Sequence, residues 1–333
     1  MHITYMLLFY FFISLIIFFF ISKVSYKLNL VDIPDKRKTH SKPTANTGGL
    51  ALCLTYIFAI YLFNFPSPKF DIILSISFLI AIVGFIDDKF NLNVGGKLSL
   101  QVIPIIYLIV LENFNLKQIG NYDYFELELG SFSIPFSIMS VIFLINAFNY
   151  FDGLDGTLSF VSISTLSILL FLLPNDNTKL FLIVIILPIL IFLCFNFSIF
   201  RIPKLFLGDG GSLLLGFIIG FTIIYFANQK NIHPILLAFS ISIFVYEFIS
   251  INLVRIISKK KLFSAGKDHL HYILLKKSNS LFLTNFLISI TNIIIFIFGY
   301  LGFIFINPLT SLILFVVLFM IYFKIRKELK KSL

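Results

Sequence analysis

The sequence predicts an all-α polytopic membrane protein, and three observations carry that prediction. Of the 333 residues, 59% are hydrophobic and only 13% are charged, which is too apolar for a soluble chain of this length. The apolar residues gather into eleven runs at or near the length of a membrane helix: 5–21, 47–64, 70–86, 98–112, 132–148, 157–173, 180–195, 211–227, 234–256, 282–305 and 309–323. Lys and Arg are distributed unevenly. Of 26 such residues, only Lys69, Lys117, Lys179 and Lys230 fall in one of the two sets of alternate loops. The positive-inside rule then places about eleven transmembrane helices with the N-terminus outside and the C-terminus in the cytoplasm.

These runs leave no room for a separate soluble domain, so 1–333 reads as a single integral membrane domain. No basic residue precedes the first run, and Lys23 and Lys27 follow it. That is the reverse of a secretory signal, so the run is expected to stay as the first spanning helix. Two runs are short, and broken or tilted helices are expected there. Cys53 and Cys194 lie inside runs, suggesting neither a disulfide nor a zinc site. The net charge of +10 collects on the expected cytoplasmic face. Anionic lipid alone would account for it, and an anionic substrate would meet it equally well.

Taken in order, the first cytoplasmic loop carries a basic cluster with Arg37, Lys38 and His40, then Gly48 and Gly49 entering the second run. The cluster is either a membrane anchor or a phosphate contact. The paired glycines either bring N–H groups to a phosphate or let helices pack closely. The third run ends in Asp87-Asp88. Adjacent carboxylates at a helix end repel, so a cation or a metal–substrate complex is expected beside them unless both are simply solvated. Lys97 opens the fourth run. The stretch from Glu112 to Gly130 alternates polar and apolar residues and reads as a short outer hairpin without chemistry.

From Asn146 to Gly156 the order is Asn-Ala-Phe-Asn-Tyr-Phe-Asp-Gly-Leu-Asp-Gly. Amide and carboxylate side chains recur every third residue, at Asn146, Asn149, Asp152 and Asp155. These are the hard oxygen ligands magnesium prefers, although an Asp-Gly turn between helices would read the same way. Asp209, flanked by glycines at a helix mouth, is either an N-cap or a metal ligand. Glu247 lies deep in the ninth run and is expected to be protonated or bonded to another helix, in a structural role. His269 and His271 share a side only in an extended segment. They suit a phosphate or a uracil-like ring, or are surface histidines without a role.

Topology sends all of these except the deep Glu247 to one face, where the acids are expected to converge beneath the inner leaflet; the outer loops hold no comparable set. The motifs Asp32-Ile-Pro-Asp-Lys-Arg-Lys-Thr-His40 with Gly48-Gly49, Gly84-Phe-Ile-Asp-Asp88, Asn146 to Gly156, Phe206-Leu-Gly-Asp-x-Gly-Ser212 and Asp268-His-Leu-His271 occur in that order. Together they resemble the polyprenyl-phosphate N-acetylhexosamine-1-phosphate transferases (glycosyltransferase family 4), over nearly the whole chain. The resemblance is closest to the undecaprenyl-phosphate N-acetylglucosaminyl-1-phosphate branch, because the three consecutive histidines usual in the peptidoglycan branch are absent.

The resemblance implies transfer of a sugar-1-phosphate from a UDP-linked N-acetyl sugar to undecaprenyl phosphate at the bacterial inner membrane, with release of UMP. It also implies Mg²⁺, with Mn²⁺ as a substitute, membrane lipid as surroundings, a homodimer and no nucleic acid. Asp209 and Asp152 are then the metal ligands, and Asp87, Asp88, Asp152 and Asp155 the catalytic acids. Arg37, Lys38, His40, Lys97, Asn146, Asn149, His269 and His271 bind substrate. A base role is the weakest of these, since a phosphate monoester with a second pKa of about 6 is already largely dianionic. The product would start O-antigen, common-antigen or teichoic-acid-type glycans. Two places depart from the family: Tyr272 stands where relatives often carry a histidine, and Ala45 where they often carry proline. The alternatives are another UDP-N-acetyl sugar, such as a 6-deoxy sugar, and a transporter or lipid flippase with midplane charges.

Overall fold

The structure is a computed structural model that describes residues 2–27, 30–34, 42–174, 176–259, 266 and 268–332. In chain order the elements are α1 (His2–Lys27), β1 (Val31–Asp32), β2 (Thr44–Ala45), α2 (Gly48–Leu62), α3 (Pro68–Phe90) and α4 (Val94–Ile106). The strands β3 (Gln118–Asn121) and β4 (Glu126–Glu128) follow, then α5 (Ser133–Phe151), α6 (Thr157–Leu172), α7 (Asp176–Asn196) and α8 (Gly208–Asn228). The chain closes with α9 (Pro234–Ser240), α10 (Ser242–Ile257), α11 (Leu270–Ser278), α12 (Leu281–Phe305) and α13 (Pro308–Lys331).

The protein is an all-α polytopic membrane protein, because in hydrocarbon only a helix satisfies its own backbone without water. Among the described residues, eight helices are long and apolar enough to cross a bilayer, or nine if the bent pair α9–α10 counts as one span. The apolar helices α2 and α6 bring the total to the expected eleven, but at 15 and 16 residues they are only about 23 Å long. They fall in the runs 47–64 and 157–173, whereas the shortest runs, 98–112 and 309–323, lie in the longer helical stretches Val94–Leu111 and Pro308–Lys331. Helix starts follow local chemistry: Ser67 and Asn307 cap α3 and α13, each followed by proline at the first helical position. The expected outer hairpin is β3–β4, paired antiparallel.

The chain falls into two compact units, Met1–Pro104 with Pro174–Ile218, and Ile105–Leu173 with Ile219–Leu333. In the first, α2 packs on α1, α3 and α7. Pro188 inside α7 has no N–H for the carbonyl of Val184, and the Tyr10 hydroxyl donates to that oxygen at 3.3 Å. Phe70 and Phe181 stack with ring centres 4.1 Å apart.

In the second unit α12 packs on α6, α9, α11 and α13, and α10 packs on α5. The run 234–256 is not one straight helix: α9 and α10 meet at 70°. Groups freed at that break are taken up by side chains from elsewhere. Asn292 accepts from Ile243 N at 3.3 Å and donates to Ser240 O at 3.1 Å, and Thr165 donates to the same carbonyl at 2.9 Å.

Candidate active site

In the first unit the acidic residues of two motifs meet at the start of α8. Gly208 has φ +72°, and a side chain there would run into Asn46 and Asp88, so only glycine fits. Close backbone packing continues along the helix: a Cβ on Gly49 would strike the Gly211 backbone, and one on Gly84 the Gly210 backbone. The N–H groups of Gly48 and Gly49 are spent on Phe206 O (2.8 Å) and Leu207 O (2.9 Å). The paired glycines therefore serve packing, and the phosphate alternative for their N–H groups is not met.

Asp209 is not the cap of its own helix. Asp88 performs that service from α3, accepting the Asp209 N–H at 3.0 Å along with the Gly210 N–H and the Asn46 side chain. Asp87 accepts from Leu92 N at 2.9 Å through Oδ1. Its Oδ2 lies 2.7 Å from Lys97 Nζ, and the same ammonium lies 2.5 Å from Asp209 Oδ2. The cation expected beside the paired aspartates is thus Lys97. Among the described residues no group of three or more His, Cys, Asp or Glu is arranged to hold a metal ion. The donor chemistry nevertheless fits magnesium, which takes one or two carboxylates and fills its shell with water and phosphate oxygens. Asp87 and Asp209 converge on one positive charge, the Lys97 ammonium.

The second unit holds the other two motifs. Asn146 and Asn149 share one face of α5, one turn apart, and Asn146 turns its amide back on Ile142 O at 2.8 Å. Asp152 ends the helix, and the turn continues to Gly156, whose φ is +75°. Asn285 fixes the turn, donating to Asp155 O at 2.8 Å while accepting from Thr157 Oγ1 at 2.6 Å. A Cβ on Gly153 would lie 2.5 Å from His271 Nε2, so glycine is needed for the histidine segment to approach. Tyr272 donates its hydroxyl to Gly153 O at 2.9 Å.

His269 has extended backbone (φ −73°, ψ 154°) before α11, and the two imidazoles stack with centres 5.4 Å apart and planes 6° from parallel. Both histidines are buried, so they are not surface residues. Burial pushes His269 below its usual pKa, only partly opposed by the Glu247 and Asp268 carboxylates. Burial, then the neighbouring His269, push His271 well below. Both rings are therefore neutral at pH 7. His269 Nδ1 and both nitrogens of His271 have no hydrogen-bond partner among the described residues, a costly state for buried polar atoms. Burial and then the Asp152 charge raise the Tyr272 phenol.

Residues 70–227 match the family model described as glycosyl transferase family 4. A Yersinia pestis undecaprenyl-phosphate alpha-N-acetylglucosaminyl 1-phosphate transferase is 29% identical over 326 residues, covering 95% of this chain and 89% of that protein. The chain is thus similar to glycosyl transferase family 4 over just under half of its length by the family model, and to these transferases over most of it. A relative from Escherichia coli K12 bearing the same name is 27% identical over 78% of this chain and 72% of its own length. A probable undecaprenyl-phosphate N-acetylglucosaminyl 1-phosphate transferase of Bacillus subtilis is 26% identical, over 83% of this chain and 80% of its own.

Asp87, Asp88, Lys97 and Asp209 come together in the first unit. Asp152, Asp155, His269 and His271 belong to the second, near Asn146 and Asn149 in sequence or space. Arg37, Lys38 and His40 lie outside the described residues. Several contributors carried no sequence signal of their own. Asn46 is a single amide in a loop, and Tyr272 stood out only as a departure. Arg326 read as one more charge of the basic tail, although it sits one turn beyond Tyr322 on a helix otherwise suited to lipid. The partner of Glu247 could have been sought among just such cations.

Proposed function

We propose that this chain transfers N-acetylglucosamine-1-phosphate from UDP-N-acetylglucosamine to undecaprenyl phosphate, releasing UMP. The site faces the cytoplasm in the inner membrane, and the transfer is the first membrane step of an O-antigen, common-antigen or teichoic-acid-type glycan. The observation that carries this reading is the set of motif carboxylates gathered on Lys97, in a chain whose full-length relatives bear that name.

Each residue has a physical task. Asp209 is the proposed first metal ligand, with Asp152 and Asp155 assigned to metal and substrate as the resemblance implies. A bound Mg²⁺ would neutralise diphosphate oxygens and so lower the repulsion between two anions. Asp88 holds the start of α8 and thereby fixes Asp209. Asp87, tied to Lys97, is placed to orient the incoming lipid phosphate, and Lys97 supplies a donor for phosphate oxygens. The neutral His269 and His271 offer ring nitrogens to the nucleotide. Glu247 is neutralised by Arg326 at 2.7 Å, which leaves it no free charge to serve a transporter.

The test is transfer by purified protein in detergent with a panel of UDP-sugars. UDP-N-acetylglucosamine should be preferred, EDTA should stop transfer, and Asp209→Asn should be inactive at any Mg²⁺ concentration. Preference for a 6-deoxy N-acetyl sugar would keep the chemistry and change the donor. Full activity of Asp209→Asn would remove the metal assignment.

A further inference from the structure

The last helix has an unusual distribution of buried residues. Of the 24 residues of α13, only Ser311, Tyr322 and Arg326 are buried. Tyr322 and Arg326 are four apart and share a face. Both meet Glu247 of α10: Tyr322 donates to Oε2 at 2.6 Å, and Arg326 reaches Oε2 at 2.7 Å through Nε and Oε1 at 3.2 Å through Nη2. The ion pair is closed to solvent, with side chains 3% and 1% exposed.

The clamp extends to the histidine segment. Arg326 Nη2 also donates to Asp268 O at 2.6 Å, and Glu247 Oε1 accepts from Leu270 N at 2.7 Å. Those two groups belong to the peptide units on either side of His269. Holding both fixes the extended conformation that lets the rings of His269 and His271 stack on one side. The Asp268 carboxylate is anchored separately, accepting from Arg255 at 3.0 Å, and Arg255 lies over the Tyr150 ring. A fork-shaped guanidinium serves a carboxylate and a carbonyl at once, which an ammonium cannot do with the same geometry.

We propose that Arg326 is a positioning residue for nucleotide-sugar binding: through its bond to Glu247 and the Asp268 carbonyl, the C-terminal helix sets the His269–His271 pair. The kinetic part rests on the transfer reaction proposed above, and the conformational part does not.

The experiment compares wild type, Arg326→Lys and the double variant Glu247→Gln/Arg326→Met, which leaves no buried charge unpaired. Hydrogen exchange of the peptide containing Leu270 is followed beside the KM for UDP-N-acetylglucosamine and for undecaprenyl phosphate, in purified protein of verified melting temperature. Exchange at Leu270 should accelerate at least tenfold in the double variant, while peptides of α5 and α6 exchange as in wild type. The KM for the UDP-sugar should rise about tenfold with the KM for the lipid within twofold, and Arg326→Lys should fall between. Unchanged exchange at Leu270 overturns the clamp, as does a rise of both KM values together. Should the double variant fail to fold, the exchange rate and KM split of Arg326→Lys decide by the same criteria. Absence of transfer by wild type would fault the reaction alone, and exchange would still decide the clamp.

Discussion

Replacing Lys97 by methionine keeps the length of the side chain and removes a cation shared by Asp87 and Asp209. At 2.7 and 2.5 Å each pair has a Coulomb energy of about 6 kcal/mol at an effective dielectric of ~20, most of it offset by desolvation. Side-chain exposures of 14% for Lys97, 12% for Asp87 and 29% for Asp209 put the cluster between the surface and the buried case. Surface pairs are worth about 0–1 kcal/mol, and removing one partner of a buried pair costs about 3–5 kcal/mol. A loss of stability of about 2–3 kcal/mol is therefore expected, seen as a lowered melting temperature, and kcat/KM should fall at least tenfold because Lys97 is also the proposed phosphate donor. The assay is transfer of labelled sugar phosphate by purified protein, with the melting temperature recorded beside it. A folded Lys97→Met with kcat/KM within threefold of wild type would refute the reasoning.

Two further outcomes follow from the same geometry. Gly49→Ala places a methyl on the Gly211 backbone, which has no flexible end to yield, and should lower stability by about 1–3 kcal/mol and activity with it; a wild-type melting temperature would contradict this. The lowered pKa values of His269 and His271 make the unfolded chain bind more protons than the folded one below about pH 6.5. Stability should thus be level above that pH and fall as pH drops through the window beneath it, with a shallower fall in His271→Gln; equal slopes would contradict it.

The membrane helices were legible in the sequence because each is a local property, an apolar run between polar loops. The 70° break between α9 and α10 was not, because it is sustained by Asn292 and Thr165, side chains far away in the chain. A similar division holds for the site. Asp87, Asp88, Asp152, Asp155 and Asp209 stood out because carboxylates at the ends of apolar helices are expensive and few. The contacts they make were not legible: Lys97 reaches Asp209 across 112 residues, and capping of α8 by Asp88 across 121. Although His271 already lies in the first turn of α11, stacking of the two histidines goes with the extended backbone of His269. What keeps it extended is Arg326, whose burial is decided by packing rather than by its place in a basic tail.

Purified protein in detergent, given UDP-N-acetylglucosamine, undecaprenyl phosphate and Mg²⁺, tests the proposed reaction most directly when UMP and lipid-linked sugar phosphate are measured together. One UMP for each lipid-linked N-acetylglucosamine-1-phosphate, with no sealed compartment present, is the predicted result. Folded protein that forms neither product, or releases sugar phosphate to water without loading the lipid, would contradict it.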